Sequence, residues 1–135
     1  MTRGPRLMAA LLALGLGLEA APALAQPGSA DHPIVVRMKR GTDRIRLTGV
    51  LRQGRDCCAY AIAVRAGQTL NWSLKGPATR QTITDPAGHT DGPGIPAAIP
   101  LTADGTWIFT VRPNLMADGA YGRFTLTLTI PPLKR

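Results

Sequence analysis

The chain has 135 residues, 16 Lys and Arg against 8 Asp and Glu, and a formal charge of +8. That length holds one ordinary domain with a single core and excludes two, while the basic balance points either to an anionic partner (lipopolysaccharide, an acidic glycan, a membrane surface or an acidic protein) or, since the Arg residues are spread along the chain, to a soluble domain from a basic proteome. Ser29, Ser73, His32 and His89 are the only serines and histidines, and Glu19 is the only glutamate, an inventory that argues against an enzyme.

Residues 1–25 read as a cleaved signal peptide. Arg3 and Arg6 form a positive start, 7–18 is an apolar run, and Ala23-Leu24-Ala25 is a small-residue site, so cleavage is expected before Gln26. Gly15, Gly17 and Glu19 interrupt the run, which falls short of the roughly 20 apolar residues of a spanning helix. No transmembrane segment is therefore expected after signal removal, and the destination is the periplasm or the exterior. The remaining 110 residues carry 14 basic and 7 acidic side chains, all of the acids Asp, for a net charge of +7.

Residues 26–33 contain Pro, Gly, Ser and Asp without period and read as a flexible lead-in. A β-sandwich domain is expected over 34–131, with 132–135 as a tail. Ile34, Val36 and Met38 alternate with polar or outward residues, Arg40-Gly41-Thr42-Asp43 turns the chain, and Ile45, Leu47, Gly49 and Leu51 alternate again, which predicts a hairpin. Its solvent face would carry a basic stripe of Arg37, Lys39, Arg44, Arg46 and Arg52, although charges on an edge strand also serve to prevent edge-to-edge aggregation.

A second hairpin is predicted where Tyr60, Ile62 and Val64 alternate, Ala66-Gly67-Gln68 turns, and Leu70, Trp72 and Leu74 alternate. A short strand follows around Ile83, then a turn at Asp85-Pro86-Ala87-Gly88 with Pro where a fixed φ is favourable. Residues 89–100, with Gly92, Pro93, Gly94, Pro96 and Pro100, read as a long loop. Trp107, Phe109 and Val111 mark another strand; Phe124, Leu126, Leu128 and Ile130, alternating with Thr125, Thr127 and Thr129, mark the last. No segment has a helical period. Seven or eight short strands predict an all-β, antiparallel, jelly-roll-like sandwich.

Ser73 lies within a strand, and neither His has a rigid neighbour to orient it. Asp85, Asp91, Asp104 and Asp118 sit in turns, where Asp bonds local backbone, without the alternate spacing of a calcium loop, so no metal and no cofactor are expected. Asn71-Trp72-Ser73 matches a glycosylation sequon, a chance match if the source is bacterial, which this type of signal peptide permits. The aromatic residues fall mostly on core faces, which argues against nucleic acid. Cys57 and Cys58 leave three readings open in an exported chain: a bond between neighbours, whose Cα atoms about 3.8 Å apart lie below the usual disulfide span; a link between two chains through an outward Cys57 while Cys58 packs in the core; or free thiols.

Several stretches resemble, in order, the periplasmic inhibitors of g-type lysozyme, and more loosely the bacterial pre-peptidase C-terminal-type β-sandwich domains. They are Val36-Arg37-Met38-Lys39-Arg40-Gly41, Thr48-Gly49, Gly54-Arg55-Asp56, the Tyr60 strand, Ala66-Gly67-Gln68-Thr69-Leu70, Asp85-Pro86-Ala87-Gly88, Asp104-Gly105 with the Trp107 strand, and the last strand. The resemblance implies an eight-stranded periplasmic sandwich that inhibits a lysozyme by inserting loops into its cleft, where an intruding basic group pairs the acid that cleaves glycan. It implies partner contacts from Arg55 and Asp56 before the Tyr60 strand and from Arg112, Asn114, Asp118 and Arg123 around the loop before the last strand. In the family that loop is rich in Arg and Lys; here only the flanking Arg112 and Arg123 are basic. The alternative is an envelope structural or surface-binding protein that contacts anionic glycan or lipid through the basic stripe.

Overall fold

Alternation at period two governs each long strand, because a strand sends successive side chains to opposite faces and only one face is buried. In a computed structural model, which describes residues 28–133, the strands are β1 (Ile34–Val36), β2 (Arg44–Leu51), β3 (Ala59–Val64), β4 (Thr69–Lys75), β5 (Thr79–Thr84), β6 (Thr90–Asp91), β7 (Ala98–Pro100), β8 (Gly105–Pro113) and β9 (Gly122–Thr129). The expected signal peptide and its cleavage site lie outside the described residues. Two sheets form, one of five strands in the order β1-β3-β8-β5-β6 and one of four in the order β2-β9-β4-β7.

The core lies between them. Tyr60, Ile62 and Val64 of β3, Trp107, Phe109 and Val111 of β8 and Ile83 of β5 face Leu70 of β4, Leu51 of β2 and Phe124, Leu126 and Leu128 of β9, all of them buried. Trp72 extends the contact across the sheets, its ring centroid 5.6 Å from that of Phe109, and its indole N–H donates to the Pro96 carbonyl at 2.7 Å. The all-β fold and the faces that the alternation assigns are those seen.

Pairing differs from expectation in four places. The predicted 60–75 hairpin is a crossover: β3 pairs with β1 and β8, whereas β4 pairs with β9 and β7. Two strands whose apolar faces must meet across a core cannot also lie side by side, so Ala66-Gly67-Gln68 carries the chain between sheets. The predicted 34–51 hairpin is likewise split, since β1 runs parallel to β3 and β2 pairs with β9. The sandwich is thus antiparallel except for that one pair. The long 89–100 loop contains β6 and β7, short edge strands held by β5 and β4, which brings the strand count to nine among the described residues. Finally, 28–33 is tied to the sheet: the Ala59 N–H donates to the Gly28 carbonyl at 2.8 Å, and Ser29 and His32 form a bridge.

Candidate functional site

Three connections converge at one end of the sandwich. Residues 52–58 lead from β2 to β3, 76–78 from β4 to β5, and 114–121 from β8 to β9. The register brings them together: Leu51 stands opposite Gly122, Lys75 opposite Thr125, and Thr79 opposite Pro113. All six residues that the family resemblance marks for partner contact lie at this end. Arg55 and Asp56 are on the first connection, Asn114 and Asp118 on the third, and Arg112 and Arg123 on the strands that flank it.

The 114–121 loop is exposed yet held. Asn114 donates its N–H to the Ala78 carbonyl at 3.0 Å, and the Ala78 N–H donates to the Gly119 carbonyl at 3.1 Å, so the loop is fastened on both sides to 76–78. Within it the Asn114 side-chain oxygen accepts from the Met116 N–H at 3.1 Å and the Asn114 carbonyl from the Ala117 N–H at 3.1 Å, the local bonding that suits Asn to turns. Ala120 is buried as an anchor. This scaffold presents Leu115 and Met116 to solvent, 69% and 85% exposed. Single exposed apolar residues are ordinary; here two stand side by side on a fastened loop.

The 52–58 connection is anchored at its far end. Cys58 and Val111 exchange both backbone hydrogen bonds, at 3.2 and 2.9 Å, which docks the lead-in against β8 beside Arg112. Cys57 and Cys58 are bonded to each other, with Cys58 buried and Cys57 half-buried. Of the three readings left open by sequence the vicinal bond is the one seen, and it leaves neither sulfur free to link two chains. Asp56 accepts a long bond from the Ala30 N–H at 3.4 Å, and Gly54, at φ 77°, supplies the left-handed residue of the Arg52-to-Arg55 turn.

Charge at this end is one-sided. Arg52, Arg55, Lys75, Arg80, Arg112 and Arg123 are exposed there, against exposed Asp56 and Asp118. Arg80 stands directly opposite Arg112 on the outer face of the five-stranded sheet, while Lys75 and Arg123 flank the end from the other sheet. Among the described residues the one ion pair is His89 with Asp85, 3.4 Å apart at the far end of β5, and none of these cations is paired with a carboxylate. Arg80, Lys75, Leu115 and Met116 are additions to the residues marked from sequence. Leu115 and Met116 carried a legible signal, an apolar pair framed by the turn residues Asn114 and Asp118-Gly119; Arg80 carried none, because only the pairing register places it beside Arg112.

The basic stripe is distributed over both sheets. Arg44 and Arg46 point outward from β2, Arg52 follows that strand, and Arg37 and Lys39 follow β1 of the opposite sheet; all five are exposed. Among the described residues no three of His, Cys, Asp and Glu converge as a metal site.

No protein-family model matches the chain, and no curated protein matches it by sequence. Solved structures do match in three dimensions. The periplasmic inhibitor of g-type lysozyme from Aeromonas hydrophila, PliG, superposes with a TM-score of 0.62 at 19% identity, over 78% of this chain and 100% of that one. The Salmonella Typhimurium PliG gives 0.59 at 18% identity over 80% and 100%, and a mutant of the Escherichia coli PliG gives 0.61 at 15% over 79% and 100%. The resemblance carried by the sequence motifs is thus matched by structure, and the chain has the fold of the PliG periplasmic inhibitors of g-type lysozyme.

Proposed function

We propose that the mature chain, released by cleavage before Gln26, is a non-catalytic periplasmic inhibitor of lysozyme that enters the enzyme's cleft with the 52–58, 76–78 and 114–121 end of the sandwich. The observation that carries this reading is the unneutralised cationic end with its fastened Leu115-Met116 loop, on a fold whose solved neighbours are lysozyme inhibitors. Glycoside hydrolysis by such enzymes depends on carboxyl groups in the cleft, and guanidinium groups form the strongest pairs with carboxylate. Here the charge comes from the flanking strands, through Arg80, Arg112 and Arg123, and from Arg55, rather than from within the loop. Leu115 and Met116 supply the apolar contact at its tip.

Lysis of a cell-wall suspension by g-type, c-type and i-type lysozymes, measured by turbidity with the purified mature protein, tests the proposal. Inhibition of the g-type enzyme at micromolar protein or below is expected. Absence of inhibition of all three at that concentration overturns it.

A further inference from the structure

We propose that the outer face of the four-stranded sheet is a second binding surface, one that takes linear anionic polysaccharide. The register assembles it in rows across β2, β9 and β4. Arg44, Thr129 and Asn71 form one row, Arg46, Thr127 and Ser73 the next, then Thr48, Thr125 and Lys75, and last Val50 and Arg123. Strands are about 4.8 Å apart and alternate residues about 6.8 Å apart along a strand, so the rows span roughly 20 Å. Arg44 and Arg46 occupy the first two rows on β2, Lys75 and Arg123 the last two on β4 and β9, hydroxyls and the Asn71 amide fill the other positions beside Val50, and no carboxylate stands on these rows. The one ion pair among the described residues lies elsewhere. Within each pair, Arg44 with Arg46 and Lys75 with Arg123, the two cations stand within one Debye length of about 10 Å and add their potentials.

The chemistry of the face selects among anionic partners. Guanidinium groups take carboxylate, sulfate or phosphate in paired hydrogen bonds, and the Thr and Ser hydroxyls with the Asn71 amide match the donors and acceptors of sugar hydroxyls. Val50, half-buried, is its only large apolar residue, so there is nothing to insert into a bilayer and no buried anchor for a protein interface. It carries no aromatic ring on which a nucleic-acid base could stack. Protection of a sheet edge accounts for Arg44 and Arg46 on the edge strand β2; Arg123 and Lys75 stand on β9 and β4 where each strand is paired on one side only, and together with Arg44 and Arg46 they give the face its charge at both ends.

Dextran sulfate and neutral dextran are the probes, with the mature protein at about 50 and about 200 mM NaCl to follow screening. Binding to dextran sulfate that weakens with salt, and none to dextran, is expected. R44Q/R46Q and K75Q/R123Q should each weaken it, and the fourfold variant by about tenfold or more. R37Q/R65Q removes as much charge elsewhere and should change it less than about twofold. Equal loss in R37Q/R65Q would show attraction to net charge only and overturn the proposal, as would binding to phosphatidylglycerol vesicles without binding to dextran sulfate. Thr127→Val, isosteric but without the hydroxyl, should weaken binding at unchanged charge. Lys75 and Arg123 belong to the loop end as well, so R44Q/R46Q is the variant that separates the two proposals: it leaves the loop end intact, and lysozyme inhibition by it should equal that of the parent.

Discussion

Arg80 on β5 and Arg112 on β8 stand directly opposite each other, two exposed cations side by side with no carboxylate paired to either among the described residues. Like charges at facing positions of a sheet oppose pairing by up to about 1 kcal/mol. A position that costs stability and gains nothing within the fold is one where the charge acts outward. Replacing both residues, as R80Q/R112Q, is expected to leave folding stability unchanged or slightly raised in urea denaturation. The same variant should weaken lysozyme inhibition by about tenfold or more, since a hydrogen bond to a charged group is worth about 1.5–3 kcal/mol. Loss of inhibition accompanied by loss of stability would assign the pair a structural role instead.

Leu115 and Met116 give the opposite dependence on salt. Both project into solvent, so L115A/M116A should alter stability by less than about 0.5 kcal/mol. Apolar anchors are insensitive to screening, whereas surface charges are not. The inhibition constant should therefore rise by a factor that is the same at low and high salt, while the factor for R80Q/R112Q shrinks as salt increases. Asn114→Ala, which removes the acceptor for the Met116 N–H, should weaken inhibition through loss of loop order, visible as faster amide exchange in 114–119.

The vicinal disulfide closes almost no chain. In the chain-entropy account, a loop of two residues is worth about 1 kcal/mol, against about 4.7 kcal/mol for a loop of 100. C57S/C58S is expected to lose about that smaller amount in chemical denaturation. The backbone pairing of Cys58 with Val111 does not depend on sulfur, so the position of the lead-in should persist in the variant.

What was legible in this sequence was each strand by itself, and what was not was its neighbour. Tyr60, Ile62, Val64 and Leu70 announced buried faces through their spacing, and all four are buried. The same spacing is satisfied by a hairpin or by a crossover between two sheets, because period two fixes a face and says nothing about which edge is paired. Short turns favoured the hairpin reading on local grounds; the need to set Tyr60 and Leu70 on opposite sides of one core decided otherwise. The site followed the same rule. Arg112, Asn114 and Arg123 are marked by the family resemblance as one stretch of sequence, whereas Arg80 and Lys75 come beside them only through the β5–β8 and β4–β9 registers.

Asp85 offers a test by pH at the end remote from the proposed site. Its carboxylate accepts from the backbone N–H of His89 and of Ala87, both at 2.9 Å, beside the His89 ring. The His89 N–H bond, followed by the smaller effects of Ala87 and the His89 charge, holds the Asp85 carboxyl below the usual range against a partial desolvation that acts the other way. A lowered carboxyl pKa stabilises the fold above the unfolded-state value and loses that contribution as pH falls through the lowered native midpoint. Carboxyl resonances followed by NMR should place the Asp85 midpoint below that of an ordinary aspartate, about 3.9, and the 85–89 turn should loosen only below that pH. Asp85→Ala should show the loosened turn at neutral pH.

Gly49 tests the β2–β9 register by the sign of its effect. It pairs with Phe124, and a Cβ added there would stand 2.5 Å from the Phe124 ring carbon Cζ and 3.2 Å from the Tyr60 hydroxyl. Phe124 and Tyr60 are 1% and 2% exposed, so neither ring has solvent to move into. In a strand with room for the methyl, Gly→Ala would stabilise by about 0.4–1 kcal/mol, because Ala loses less conformational freedom on folding. Against these two rings it should destabilise by about 1–3 kcal/mol through overpacking. Combining it with Phe124→Leu, which removes the ring carbon it meets, should cost less than the sum of the two single changes, since residues in contact couple. A stabilised G49A, or strict additivity in the double variant, would mean that β2 is not held against β9 at this register, and the rows of the outer face would then have to be redrawn.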